Sequence, residues 1–131
     1  MTIEIQKIEL IASDERGEIA GIVRLNDAKI RSVLRITMNP GSPPRGNHWH
    51  KHDTHWVYCD KGIMRYSEAD SETPDKVESV ILKPGDLVES RPGRIHAMEV
   101  VGEKEVVFLA ITTEPRDQKH YEEDTIRVGI V

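Results

Sequence analysis

Four histidines fall within eight residues, His48, His50, His52 and His55, and a fifth, His96, follows Arg91-Pro92-Gly93-Arg94-Ile95. Imidazoles gathered this densely can ligate a divalent transition metal or move protons near neutral pH. Spacing sorts them. His48 and His50 are two apart, so on a strand both rings point to one face. His55 shares its parity with Val57 and Cys59, and His96 with Met98 and Val100, apolar sets that suit an interior. Two histidines from one strand, one from its neighbour and one from a distant strand can enclose an ion. The expected metal ligands are therefore His48, His50, His55 and His96, and the expected cofactor is a divalent transition metal: Zn, Mn, Fe or Ni. Imidazole binds metal only when deprotonated, so release is expected as pH falls through about 6.5, where free histidine protonates. His52 in the turn and His120 in a charged tail read as solvated. Asp53 reads as a turn-former bonded to its own backbone rather than as a partner of the cluster.

The elements that must position these rings are strands. In Arg31 to Met38, Ser32, Leu34, Ile36 and Met38 share one parity while Arg31 and Arg35 take the other, a period of two. Apolar runs over 55–60, 63–68, 77–82, 86–90, 96–101 and 105–112 continue the pattern between Gly and Pro punctuation. Asp60-Lys61-Gly62 reads as a hairpin turn. Ser67 to Lys76 is polar and acidic and reads as a loop. The best helical stretch, Asp117 to Asp124, is polar all round and predicts a short turn at most. Ile3 to Ile11 reads as an apolar edge strand. Many short strands with regular turns predict an all-β jelly roll, sandwich or small barrel.

Composition bounds the rest. The 131 residues suit one domain, 1–131. With 18 basic and 23 acidic residues the net charge is −5, which lacks the footprint of a nucleic-acid binder. No apolar run approaches the roughly 20 residues of a membrane span, and the first residues do not read as a secretory signal. The single cysteine, Cys59, forms no internal disulfide and fits a reducing cytoplasm.

Two spaced motifs resemble those of the cupin superfamily. The first, about 41–62, is Gly41, then His48-Trp49-His50, four residues, His55, six residues, Gly62, with His55 where Glu is usual. The second, about 85–100, is Gly85-Asp86 leading to Pro92-Gly93-Arg94-Ile95-His96. The resemblance implies a double-stranded β-helix. Within that superfamily, Asp14-Glu15-Arg16-Gly17, Arg45-Gly46-Asn47-His48-Trp49-His50 and the tail from Tyr121 to Arg127 resemble a nucleotide-sugar branch. This branch comprises dTDP-4-dehydrorhamnose 3,5-epimerase, the sugar 3,4-ketoisomerases and the cupin domains of capsular-polysaccharide enzymes.

The resemblance implies an isomerase or epimerase acting on a carbohydrate or nucleotide-sugar. Alternatives are a metal-dependent oxygenase and a non-catalytic sugar- or metabolite-binding cupin. In the epimerases the histidine matching His48 is a catalytic base and no metal is used, so His48 is a ligand or a base, not both. Tyr66 is expected as a general acid. Arg45, Arg91 and Arg94 beside the motifs are expected to grip a diphosphate. The edge strand at the N-terminus predicts a homodimer.

Overall fold

Alternation of apolar and polar residues sets the strands. In the computed structural model, which describes residues 2–23 and 29–131, twelve strands and one helix follow in order: β1 (Gln6–Lys7), β2 (Glu9–Asp14), β3 (Gly17–Gly21), β4 (Ser32–Met38), β5 (Arg45–His50), β6 (His55–Lys61), β7 (Met64–Asp70), β8 (Glu78–Leu82), β9 (Asp86–Ser90), β10 (Arg94–Val100), β11 (Val106–Thr112), α1 (Gln118–Asp124) and β12 (Thr125–Arg127). Along β4 the predicted parity holds: Leu34 and Ile36 are half-buried and Met38 buried, while Val33 and Arg35 are exposed. The other face of β11 is covered too, which is why Val106 to Ile111 is apolar on both parities.

Two five-stranded sheets form, ordered β1-β9-β6-β11-β4 and β12-β5-β10-β7-β8, with β2-β3 as a separate ribbon. Every pairing is antiparallel. The core fills the space between the sheets, with Val57, Val88 and Phe108 from one meeting Met64, Tyr66 and Met98 from the other. This is the expected all-β jelly roll.

Four local expectations change. Asp60-Lys61-Gly62 closes no hairpin, because β6 pairs with β9 and β11 while β7 pairs with β8 and β10. It is a corner where the chain passes from one sheet to the other. Gly62 is required there: its φ is +84°, and a Cβ would sit 2.5 Å from the Glu105 carbonyl oxygen. The acidic loop is shorter than expected, since Ser67 to Asp70 complete β7, with Ser67 and Glu68 buried. The N-terminal run is not one strand: β1 joins the sheet edge at β9, and the chain then leaves to pair as β2 with β3. The tail helix is a full seven residues, capped by Asp117, whose carboxylate accepts from the His120 amide.

Candidate functional site

The two strands that carry His48, His50 and His96 are neighbours, and their register is set by a glycine. β5 and β10 pair antiparallel with His96 opposite His48, and the register shifts between His96 and Ala97. At this bulge Gly46 adopts φ +85°, and a Cβ there would lie 2.6 Å from the His96 carbonyl oxygen. Asn47 continues in the left-handed region at φ 55°. Its side-chain oxygen accepts from the Ile130 and Val131 amides. Arg45-Gly46-Asn47 thus bends β5 so that the next residue, His48, faces His96. Gly46→Ala should cost roughly 2–3 kcal/mol of stability, read as a lower urea midpoint. An unchanged midpoint would mean that the bulge yields freely.

The rings meet at one end of the barrel. His48 lies with its centroid 4.8 Å from that of His50 and 4.7 Å from that of His96. His55, from β6 in the opposite sheet, lies 4.5 Å from His96 and 5.4 Å from His50. One donor atom each from His48, His50 and His96 falls within 4.8 Å of the others, and the same holds for His50, Asp53 and His55. All four histidines line a cavity of about 130 Å³ with Arg45, Arg116 and Tyr121 around it. His48 is the most open of the four; His50, His55 and His96 are buried. His52 and His120 are exposed, as expected.

Each imidazole is held from behind by its own partner, always at Nδ1. His55 Nδ1 is 2.9 Å from Asp53 Oδ2, His50 Nδ1 is 3.1 Å from Thr125 Oγ1, His96 Nδ1 is 3.1 Å from Ser90 Oγ, and His48 Nδ1 is 3.4 Å from the Tyr121 hydroxyl. The Nε2 atoms are thereby left for the cavity. Partners at the back of a ring fix its orientation and its tautomer, as in metal and acid–base sites. Asp53 accordingly does more than shape its turn. It accepts from the Thr113 and Glu114 amides at 3.0 and 3.2 Å as well as binding His55. Burial alone would raise its carboxyl, but the bonds from His55 and Thr113 hold it below the ordinary range.

His48, His50 and His96 are held in the neutral form. Burial, with the neighbouring imidazoles His50 and His55 adding to it, pushes His48 down to about 3. Burial and His55 push His50 down to about 4. Burial pushes His96, the most enclosed, well below the usual value. Protonation of these three rings in the folded chain is thus displaced under the pH of about 6.5 at which free imidazole would release a metal.

Other expected residues are placed elsewhere. Tyr66 is fully buried in the core, donates to Glu68 Oε1 at 3.2 Å, and does not line the cavity. Burial raises its phenol well above 10. Arg91 and Arg94 line a second, polar cavity of about 380 Å³. There Arg91 pairs with Glu89 at 3.3 Å and Arg94 with Glu78 at 2.9 Å. Of the three expected arginines only Arg45 reaches the histidine cavity. Arg116, which sequence reasoning passed over, takes the other place, its guanidinium carbon 4.1 Å from the Tyr121 ring centroid. Asp124 was missed as well: it accepts from the His52 and Asp53 amides at 2.7 and 3.2 Å and stands 3.6 Å from His50 Nδ1. Cys59 is a buried core residue whose thiol burial pushes up to about 11.

Comparison with known proteins agrees with this geometry. Compared with curated proteins, the chain matches none. Among solved structures, QdtA, a sugar 3,4-ketoisomerase from Thermoanaerobacterium thermosaccharolyticum in complex with TDP, is 26% identical. The match covers 95% of this chain and 87% of that one, at a TM-score of 0.75. A 3,4-ketoisomerase from Helicobacter canadensis is 18% identical over 97% of this chain and 91% of that one, at 0.77. The capsular polysaccharide assembling protein CapF from Staphylococcus aureus is 20% identical, covering 92% of this chain and 34% of its own, at 0.67. The last two speak for the fold. The family model for the cupin domain matches residues 34–112, a span that opens on β4, takes in all four cavity histidines and ends on β11, and the chain belongs to the cupin family.

Proposed function

We propose that the protein is a nucleotide-sugar isomerase that moves a carbonyl between adjacent carbons of a keto-sugar. The observation that carries this reading is the cavity itself: four imidazoles facing one small space, in a barrel 26% identical over nearly its whole length to a sugar 3,4-ketoisomerase. Such a reaction takes a proton from the carbon beside the carbonyl, forms an enediolate, and returns a proton to the former carbonyl carbon. His48 is the base in the absence of an ion, because it is the most open of the four and is backed by Tyr121. Its low basicity in the empty cavity rises when an anionic substrate and the developing enediolate stand beside it. Arg45 and Arg116 at the cavity hold the diphosphate.

The donor set also fits a divalent transition metal. His48, His50 and His96 would hold it, with His55 beside them, and the rings at their depressed pKa values offer little proton competition. When bound, the ion would supply Lewis-acid polarisation of a carbonyl. Metal content of protein made without an affinity tag decides between the two roles of His48.

The test of function is incubation with TDP-4-keto-6-deoxyglucose, the sugar present in one QdtA complex, followed by proton NMR. Appearance of the 3-keto isomer, with solvent deuterium at the former carbonyl carbon, supports the reading; an unchanged sugar at high enzyme concentration overturns it. A second copy of the chain is the proposed partner of the β2–β3 ribbon, which exposes Leu10, Ile11 and Ile19 at 57%, 50% and 63%. Light scattering should give a dimer at micromolar protein. A monomer over a wide concentration range would remove that part.

A further inference from the structure

The arginines of this chain are held in two ways. Arg16, Arg91, Arg94 and Arg127 each face a carboxylate, those of Asp14, Glu89, Glu78 and Glu122. The two arginines that line the histidine cavity do not: among the described residues, no carboxylate pairs with Arg45 or Arg116. Each is placed by an uncharged partner instead. Arg45 Nε donates to the Thr37 carbonyl oxygen at 3.2 Å. The Arg116 guanidinium lies over the Tyr121 ring, with Cζ 4.1 Å from the ring centroid. The ring is held in turn by the histidines. It stands nearly edge-on to His48, centroids 5.9 Å apart and planes at 79°, with its hydroxyl 3.4 Å from His48 Nδ1.

Arg116 is exposed. A long, exposed side chain samples many rotamers, and that freedom is lost when it grips a ligand. A ring beneath the guanidinium removes much of it beforehand. The contact uses the flat face of the cation, whereas the N–H donors point outward in its plane, so an arginine seated on a ring keeps its edge for a phosphate. We propose that Tyr121 is the platform of the diphosphate subsite: its ring seats Arg116 so that the guanidinium edge, unclaimed by any carboxylate, is presented to the diphosphate of the substrate. In this Tyr121 is a positioning residue, acting through Arg116. The inference rests on the nucleotide-sugar reading of the cavity. It requires the plane of an arginine and not merely a positive charge at position 116.

The experiment is titration calorimetry of TDP into the full-length protein and its variants at neutral pH. Arg116→Gln should weaken binding about tenfold or more, the scale of a charge-assisted hydrogen bond. Tyr121→Leu, with the arginine intact, should weaken it about two- to fivefold, and Tyr121→Phe, which keeps the ring, should bind as the unaltered protein does. The double variant is decisive: in the Arg116→Gln background, Tyr121→Leu should cause no further loss. A second loss by the same factor would mean that the ring touches the nucleotide itself, and would overturn the proposal. So would Tyr121→Leu at the original affinity, or Tyr121→Phe weakened as much as Tyr121→Leu. If the leucine variant does not fold, Arg116→Lys at its exposed position serves: it keeps the charge without the plane and should also bind more weakly, and an unchanged affinity would overturn the proposal. An unaltered protein that does not bind TDP would end the nucleotide-sugar reading and this inference together, whereas binding that ignores Tyr121 ends the inference alone.

Discussion

His48→Asn is expected to lower turnover of the keto-sugar about 10³-fold while leaving KM within a few-fold, the usual scale for losing a positioned base. The amide is close to imidazole in reach and can still meet the Tyr121 hydroxyl that stands 3.4 Å from Nδ1. What it cannot do is take up a proton. Binding should survive, because Arg45 and Arg116, the cavity residues proposed to hold a diphosphate, are not altered. Proton exchange at the sugar carbon, followed with deuterium, should fall in step with turnover. A variant that isomerises at the original rate would remove His48 as the base. A variant with a raised KM and unchanged kcat would place it in binding instead.

The second large effect is on stability in acid. His48 and His50 are held down to about 3 and about 4, while the unfolded chain protonates them near 6.5. Above pH 6.5 both states carry neutral rings and the two groups leave stability independent of pH. As pH falls below 6.5 the unfolded chain takes up protons that the folded chain refuses, so folding weakens. At pH 4 the loss is roughly 3 kcal/mol for each ring, and His96, also pushed down, adds to it. A domain of this kind usually has only about 5–15 kcal/mol in all. Urea unfolding at pH 7.5, 5.5 and 4.5 should therefore show a steep fall, approaching spontaneous unfolding at the lowest pH. His50→Gln should flatten the slope. A midpoint constant down to pH 4.5 would mean that the cluster protonates freely in the folded state.

Much of this was legible in the sequence, because a strand with one face in the core writes its parity into the chain. That parity put His48, His50, His55 and His96 on inward faces, and the structure gathers all four. Parity does not say which strand pairs with which, however. Asp60-Lys61-Gly62 has the residues of a hairpin turn, yet the partners of β6 and β7 are chosen by burial between the two sheets. The arginines failed for a related reason. Arg94 sits beside the second motif, but Glu68 and Glu78, 26 and 16 residues away in the chain, draw it to the other cavity. Arg116, Tyr121 and Asp124 come from a polar tail with no apolar pattern to announce a docking face. The contacts of Tyr121 with His48 and of Asp124 with His52 and Asp53 span more than seventy residues. Asp53 was legible as a turn residue, whereas its bond to His55 depends on how β6 begins.

That tail carries a consequence for the order in which the protein is made. β12 pairs with β5 at Thr125–His50, Ile126–Trp49 and Arg127–His48, and Thr125 and Tyr121 are the residues that back His50 and His48. Strands β4 to β11 leave the ribosome first and can collapse into a barrel with two of its four rings still unbraced. The cavity acquires its final geometry only after residues 117–131 have emerged and closed the edge of the sheet. Until then the nascent barrel exposes the free side of β5, and its histidines are open to any metal or partner strand in the surrounding solution.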